Sequence, residues 1–411
     1  MRHNAKRILS FLIILGVFVC SVHGQRVQSK EAEKEHNILS LDLKYLDSYS
    51  EDELRELEMN VIATNELNQQ FDRLVDYWGG LYPDYYGGAY IKNRQLFVLV
   101  TCKPEKVVKE IIEATGSKET KVLCASNSYK DLIDLKNKIV DRVKEKDYAL
   151  DSRWEKVSGI SIDEEKNKVV VRIRNSIEDT SLVPTELLSD DRIVYNYSEK
   201  IPELKSTSIM AGHGQEATDY YTDQNSTISF CGHRYNSSGQ LEKGFVIAGH
   251  ATDFYDTIYI NGTLVGRVTW RKCVNGGTCD AAFVCTDMCP YSGYVPSCIL
   301  SNNSYIVSTS VGIQGSYYAL HGNKSGVVFG SLLETHASYP FMHPVTYNTI
   351  WMDEQMVMNI DSDRGDSGGP LVKTLAWNTR SLVGTLTGGQ DSLSYYSEIG
   401  RILSQMNGGI N

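Results

Sequence analysis

The first constraints come from what the sequence lacks. Among 411 residues there are 51 Asp+Glu against 41 Lys+Arg, a net charge of −10, and no basic run. A nucleic-acid partner calls for a track of cations along its phosphates, so the composition argues against one. After Cys20 no stretch is long and apolar enough to span a bilayer. The cysteines offer no matching pair of Cys-x-x-Cys motifs, which argues against zinc, and neither a metal nor an organic cofactor is expected. Charge also thins along the chain, from 31 Lys+Arg and 35 Asp+Glu up to residue 206 to 10 and 16 beyond it. A boundary near residue 206 follows, with different tasks on its two sides. No cluster before that boundary has the look of a catalytic constellation.

The chain opens with Arg2, Lys6 and Arg7, then an apolar run from Ile8 to Cys20, then Val22-His23-Gly24. A short apolar run behind a basic start and before small residues is the pattern of a secretory signal, expected over 1–24. The product is expected to be secreted and, after signal removal, free of the membrane. From there to residue 205 the pattern predicts an α+β region. Ser50 and Glu53 form a capping-box signal, followed by a helical stripe of Leu54, Leu57, Val61, Leu67, Phe71, Leu74, Val75 and Trp78. A hairpin is predicted from 87–91 and 96–100, helices after Pro104 and Ser128, and strands at 121–124, 157–162 and 168–173.

Beyond residue 206 short β-branched or apolar runs recur, separated by turn residues: 228–230, 245–247, 257–260, 263–269, 281–284, 305–311, 326–329, 350–358, 371–374 and 382–387. Many short strands at this pitch predict an all-β barrel or sandwich. Into this region falls Arg364-Gly365-Asp366-Ser367-Gly368-Gly369-Pro370. Three glycines permit backbone conformations that side chains forbid. Such a loop can hold a hydroxyl outward while N–H groups converge on a developing negative charge. A serine nucleophile also needs a base and an orienting acid. Upstream, Gly244-Phe245-Val246-Ile247-Ala248-Gly249-His250 reads as a buried strand ending in His, and Cys279-Asp280-Ala281-Ala282-Phe283-Val284 as an acid heading another.

Gly-Asp-Ser-Gly-Gly-Pro resembles the active-serine motif of chymotrypsin-like serine proteases, whose chain order is His, Asp, Ser. The spacings, 30 residues from His250 to Asp280 and 87 from Asp280 to Ser367, resemble the compact bacterial-type branch, the streptogrisin and α-lytic protease group. The resemblance implies a chymotrypsin-like double barrel of six strands each over 206–411. It assigns His250, Asp280 and Ser367 as catalytic residues and the N–H groups of Gly365 and Ser367 as the oxyanion hole. Asp366 then anchors the loop, and Thr387, Gly388 and Gly389 pair with extended substrate backbone; the family more often has Ser at the position of Thr387. Asp361, six residues before Ser367, stands where trypsin-like members carry an acid that selects Arg or Lys; the alternative is a solvated loop residue and an apolar pocket. Asp253, Asp256 and Asp287 remain as alternative orienting acids.

Tyr86-Gly87-Gly88-Ala89-Tyr90-Ile91, with Ile160-Ser161-Ile162 and Asn167-Lys168-Val169-Val170-Val171, is similar to paired strands in prosegments of the same proteases, so 25–205 is expected to be a prosegment; the alternative is an independent binding domain. Ile209-Met210-Ala211-Gly212 resembles a mature start, and a cut elsewhere in 200–208 is the alternative. Eight cysteines outlast signal removal: Cys102 and Cys124 in one half, and Cys231, Cys273, Cys279, Cys285, Cys289 and Cys298 in the other. Even counts are usual for secreted disulfide proteins, but no pairing follows from sequence. Family members usually have Cys after the catalytic His and near the nucleophile; this chain has Ala251, and Ser362 and Asp363. Sequons begin at Asn196, Asn225, Asn236, Asn261, Asn302 and Asn323, as in an exposed glycoprotein surface. The expected whole is a secreted, monomeric serine endopeptidase made as a zymogen, acting on protein or peptide substrates, with its own prosegment as folding aid and inhibitor. A protease fold kept for binding and an esterase with the same triad are the alternatives.

Overall fold

The computed structural model describes residues 50–410 except 146–150, 205–213, 220–221, 261–262, 288–299, 301–303, 344–347 and 377. The expected signal, the 209–212 start, Cys289, Cys298, Asn261 and Asn302 lie outside the described residues. In chain order the first half contains α1 (Glu51–Tyr77), β1 (Tyr86–Lys92), β2 (Gln95–Val100), α2 (Val108–Thr115), β3 (Lys121–Cys124), α3 (Tyr129–Lys144), β4 (Val157–Asp163), β5 (Lys168–Ile173), β6 (Ile193–Tyr197) and β7 (Glu203–Leu204). Then come β8 (Gly214–Asp219), β9 (Thr222–Thr227), β10 (Phe230–Tyr235), β11 (Leu241–Ile247), β12 (Thr257–Ile260), β13 (Thr263–Lys272), β14 (Ala281–Cys285) and β15 (Tyr305–Thr309). The rest is β16 (Tyr317–Gly322), β17 (Gly326–Met342), β18 (Thr349–Met358), β19 (Pro370–Ala376), β20 (Thr379–Gln390), β21 (Leu393–Glu398), α4 (Ile399–Met406) and β22 (Gly408–Ile410).

The first half is α+β, as expected. The capping box closes: the Ser50 N–H donates to Glu53 Oε2 at 2.8 Å and the Glu53 N–H to Ser50 Oγ at 3.3 Å, satisfying two orphan donors of α1. Asn93 and Arg94, at φ 50° and 55°, make the two-residue turn between β1 and β2. Gly116, at φ 69°, ends α2. β3 then pairs parallel with β2 in a three-stranded sheet, and β4–β5–β6 form the second sheet of this half.

α1 serves two cores. Leu57 and Val61 are buried with Phe230, Phe283, Ile402 and Met406, whereas Leu67, Phe71 and Leu74 are buried with Val98, Ile111, Ile139 and Ile160. Burying each such aliphatic side chain contributes roughly 1.5–3 kcal/mol. One rigid helix is thus anchored in both halves of the molecule.

In the second half, β16, β19, β20, β21, β18 and β17 pair in a ring, since β17 also pairs with β16; this is a closed six-stranded barrel. Before it lies a sheet of eight strands in the order β22-β10-β11-β14-β13-β12-β8-β9. Its six core strands β8 and β10–β14 are supplemented by β9 and by the carboxy-terminal β22. The fold is therefore all-β over the second half, with two β modules as expected, and α4 packs on them.

The two halves share a sheet. β4 pairs with β17, Thr335 opposite Ile162 and Ser338 opposite Ile160, so the β4–β5–β6 sheet extends the barrel wall. Cations of the first half meet acids of β17 and β18: Arg172 with Glu334, Lys144 with Asp353, and the fully buried Lys136 with Glu354. In the opposite sense Asp72 of α1 meets buried Lys373 at 2.9 Å. Glu354 and His336, both left-handed at φ 58° and 48°, face each other across β17 and β18 and pair at 2.5 Å. Burial opposes ionisation of Glu354, yet His336, Lys136 and Arg401 hold its carboxyl well below the usual carboxylate range.

Candidate active site

His250 sits in the turn 249–251 that follows β11, and Asp280 immediately precedes β14. β11 and β14 are paired neighbours, which brings the two residues together. The approach is close enough that a Cβ on Gly249 would lie 2.6 Å from Lys272 O and 2.8 Å from Ala281 O, so only glycine fits. The His250 N–H donates to Asp280 Oδ1 at 2.8 Å, and His250 Nδ1 lies 2.5 Å from Oδ2. Both side chains are fully buried. This bidentate hold fixes the ring orientation and aims Nε2 away from the acid. Nε2 is buried without a hydrogen-bond partner among the described residues.

Ser367 lies in the loop between β18 and β19. Thr227, the last residue of β9, clamps that loop twice. Its Oγ1 donates to Gly365 O at 2.7 Å, and its N–H donates to Ser367 O at 2.6 Å. Gly368, at φ 87°, packs so closely that a Cβ would lie 2.2 Å from Thr227 O and 2.9 Å from Ala248 N. That contact seats the serine loop against the strand end that carries His250. Gly365 is also left-handed, at φ 111°.

Asp366 is fully buried beneath the loop. Its carboxylate accepts from the N–H groups of Lys324 (2.7 Å), Ser325 (3.2 Å) and Asp363 (2.8 Å), and from Ser325 Oγ–H (2.5 Å). A Cβ on Gly322 would lie 2.4 Å from its Oδ1. Four donors from two loops fix the acid, and through it the backbone on both sides of Ser367.

Thr387, Gly388 and Gly389 lie on β20, and the chain already supplies them with a partner. β7 runs antiparallel to this strand, Leu204 opposite Gly388 and Glu203 opposite Gly389. The same Glu203 is opposite Met342 at the end of β17, and the Met342 N–H donates to Pro202 O at 3.1 Å. The strand expected to pair with extended peptide is therefore covered by the end of the first half.

One expectation changes. Asp361 is exposed, not the floor of a closed pocket. The buried side chain there is Ser362, whose Oγ lies 2.7 Å from Ser394 Oγ, so the loop turns its small residue inward and leaves the acid in solvent. Among the described residues Cys102, Cys124, Cys273 and Cys279 form no disulfide. Cys231 is opposite Phe245, and Cys285 is opposite Gly244 and Arg267. Lys272 is opposite Ala281, which leaves Cys273 beside Asp280; burial and that carboxylate raise the Cys273 thiol well above its ordinary value. Burial, then Asp280, push Cys279 up to about 12.

Sequence reasoning missed Thr227, Ser325, Gln355, Ser397 and His343. His343 follows β17, and burial together with the charge of His250 lowers its imidazole. The alternative acids have other duties. Asp253 is exposed near Arg271, Asp256 accepts from Thr252 Oγ1 at 2.9 Å and Asp253 N–H at 2.6 Å, and Asp287 accepts from Lys243 N–H at 2.8 Å. Among the described residues no cluster of three or more His, Cys, Asp or Glu could hold a metal ion, and no helix is long and apolar enough to cross a membrane.

Residues 55–127 match the Pro-like N-terminal domain family. The chain also matches solved structures of bacterial proteases over about half of its length. Among solved structures, Nocardiopsis protease (NAPase) is 18% identical and matches over 50% of this chain and 100% of its own, at a TM-score of 0.39. Cellulomonas bogoriensis chymotrypsin is 18% identical over 50% and 99%, at 0.37. Thermobifida fusca protease A is 17% identical over 50% and 98%, also at 0.37. No curated protein matches the sequence. The chemical reading of this site rests on its own residues.

Proposed function

We propose that this chain is a secreted serine endopeptidase made as a zymogen, with a signal at 1–24, a prosegment at 25–205 and a catalytic domain at 206–411. The observation that carries the reading is the buried His250–Asp280 pair beside a glycine-rich serine loop, with the prosegment's end strand lying along 388–389. Ser367 Oγ attacks the scissile carbonyl while His250 Nε2 takes its proton. The same nitrogen then returns a proton to the leaving amine, and water repeats the cycle on the acyl-enzyme. Asp280 holds the tautomer with Nδ1 protonated and stabilises the imidazolium. The N–H groups of Gly365 and Ser367 receive the oxyanion; one such donor typically contributes about 3 kcal/mol to the transition state. Thr387–Gly389 take the substrate backbone as an added strand, the role β7 now fills.

The test is labelling by a fluorophosphonate probe of the intact chain and of the chain freed of 25–205. Labelling is expected only after removal and only with Ser367 present. Equal labelling of Ser367→Ala would discard the mechanism. Hydrolysis of simple esters without cleavage of any peptide in a library would discard the endopeptidase assignment.

A further inference from the structure

Behind the acid lies a run of buried polar groups that the mechanism does not yet use. Gln355 on β18, Thr387 on β20, Ser397 on β21 and Asp280 are all fully buried. Thr387 Oγ1 donates to Gln355 Oε1 at 2.8 Å, and Ser397 Oγ lies 2.9 Å from Thr387 Oγ1 and 3.3 Å from Gln355 Oε1. Ser397 Oγ accepts the Asp280 N–H at 2.9 Å. The amide orientation of Gln355 is fixed, because its other terminal atom meets Asp353 O at 3.0 Å. A carbonyl only accepts, so that atom is the Nε2 donor and the atom facing Thr387 is the Oε1 acceptor. With the Thr387 proton directed to Gln355, the single Ser397 proton goes to Thr387 or to Gln355. Either way its lone pair stays turned to Asp280.

We propose that Gln355 is a positioning residue for the catalytic acid, acting through Thr387 and Ser397. It is the acceptor at the end of the chain, and it decides which way both hydroxyls point. The chain crosses from the closed barrel to the first sheet, and so ties the acid of one module to the substrate strand of the other. Without that acceptor two buried hydroxyls lose their partner, and a buried hydroxyl left unsatisfied is unfavourable. The cheapest relief is for Ser397 to turn its proton and release the Asp280 N–H, letting the carboxylate drift from His250. The proposal rests on the endopeptidase reading.

The experiment uses the full chain after maturation, with active sites counted by fluorophosphonate titration. Gln355→Leu should lower kcat per labelled site by between about 10- and 100-fold, the scale of a small misplacement of a catalytic group. KM should stay within about threefold, since the backbone of 387–389 still offers its own groups. Ser397→Ala should match it, and Ser397→Thr, which keeps the hydroxyl, should restore most of the rate. The acidic limb of kcat/KM should move to lower pH, because a displaced carboxylate stabilises the imidazolium less. The other groups around the pair, His343, Arg271, Asp253, Cys273 and Cys279, are untouched by these substitutions. An unchanged kcat and pH profile, or a loss confined to KM, overturns the proposal. Should Gln355→Leu fail to accumulate, the Ser397 variants decide it: equal kcat in Ser397→Ala and Ser397→Thr overturns it, and a loss in Ser397→Ala alone supports it. Wild-type chain that never labels at Ser367 breaks the endopeptidase reading instead.

Discussion

Two carboxylates flank the serine loop, and both are fully buried. Asp280 is spent on one imidazole, through that residue's N–H and Nδ1. Asp366 is held by three backbone N–H groups and a hydroxyl. The difference separates the roles the proposed mechanism gives them. There, a partner that gains and loses charge makes Asp280 a stabiliser of a transient cation. Partners of fixed charge make Asp366 a peg for the loop. A third acid, Glu354, marks the other limit, held by His336, Lys136 and Arg401 at the seam between the first half and the barrel.

The comparison breaks hardest at the triad. Ser367→Ala, His250→Ala and Asp280→Asn should each lower peptidase turnover by about 10⁴-fold or more, and double variants should lose little further, as expected of groups acting as a unit. Steady-state kinetics on a peptide substrate checks this. Full activity in Asp280→Asn would hand its role to Asp253, Asp256 or Asp287.

Asp366→Asn should cost less, roughly 10²–10³ in kcat, the scale of one lost oxyanion donor. An amide oxygen cannot accept from donors on both sides, so the loop shifts while His250 and Asp280 keep their pairing. A pH profile separates the two acids: the acidic limb should stay in place for Asp366→Asn. If it moves, the peg assignment fails.

Ser325→Ala removes one of four donors to the same acid. A hydrogen bond to a charged group contributes about 1.5–3 kcal/mol, which thermal unfolding of the intact chain should register as a lowered Tm. No change in Tm would mean the three N–H groups suffice.

The smallest effect concerns Glu354. Its carboxyl is held below the ordinary carboxylate range in the folded chain, so its contribution is present above the unfolded value and is lost as pH falls through the folded one. Intact chain should therefore lose stability as pH drops below the usual carboxylate range. Lys136→Met, which removes one of the cations, should flatten that acid slope. A slope identical in the two proteins would remove Lys136 from the account.

The sequence exposes the parts of the site that are local. The glycines around Ser367 and before His250 are required by close backbone approach, and close approach leaves a motif. Capping at Ser50 and the turn at Asn93-Arg94 are local too, and both are legible. Thr227, Ser325, Gln355 and Ser397 leave no motif, because each is defined by a partner far along the chain: Gly365, Asp366, Thr387 and Asp280. The strands β8 and β9 escape a search for apolar runs because polar residues dominate both, and β16 and β21 because Tyr, Ser, His and Gly take most of their aliphatic positions. Asp361 misleads for the opposite reason, since spacing fixes a position along a loop but not the direction in which a side chain turns.

The double anchorage of α1 changes what cutting the chain between the halves achieves. One contact is β7 on the strand proposed to take substrate; a second is Leu57 and Val61 in the core of the other half, and farther along the same helix Asp72 meets Lys373. In the proposed zymogen they make the first half a bivalent ligand of the second. Hydrolysis of a single linking bond leaves both footholds engaged. When either lets go, the other keeps it at high effective concentration, so rebinding outruns escape. Liberation of the groove is then governed by avidity, and a cut that divides α1 from β7 releases the enzyme far faster than one that leaves them on the same piece.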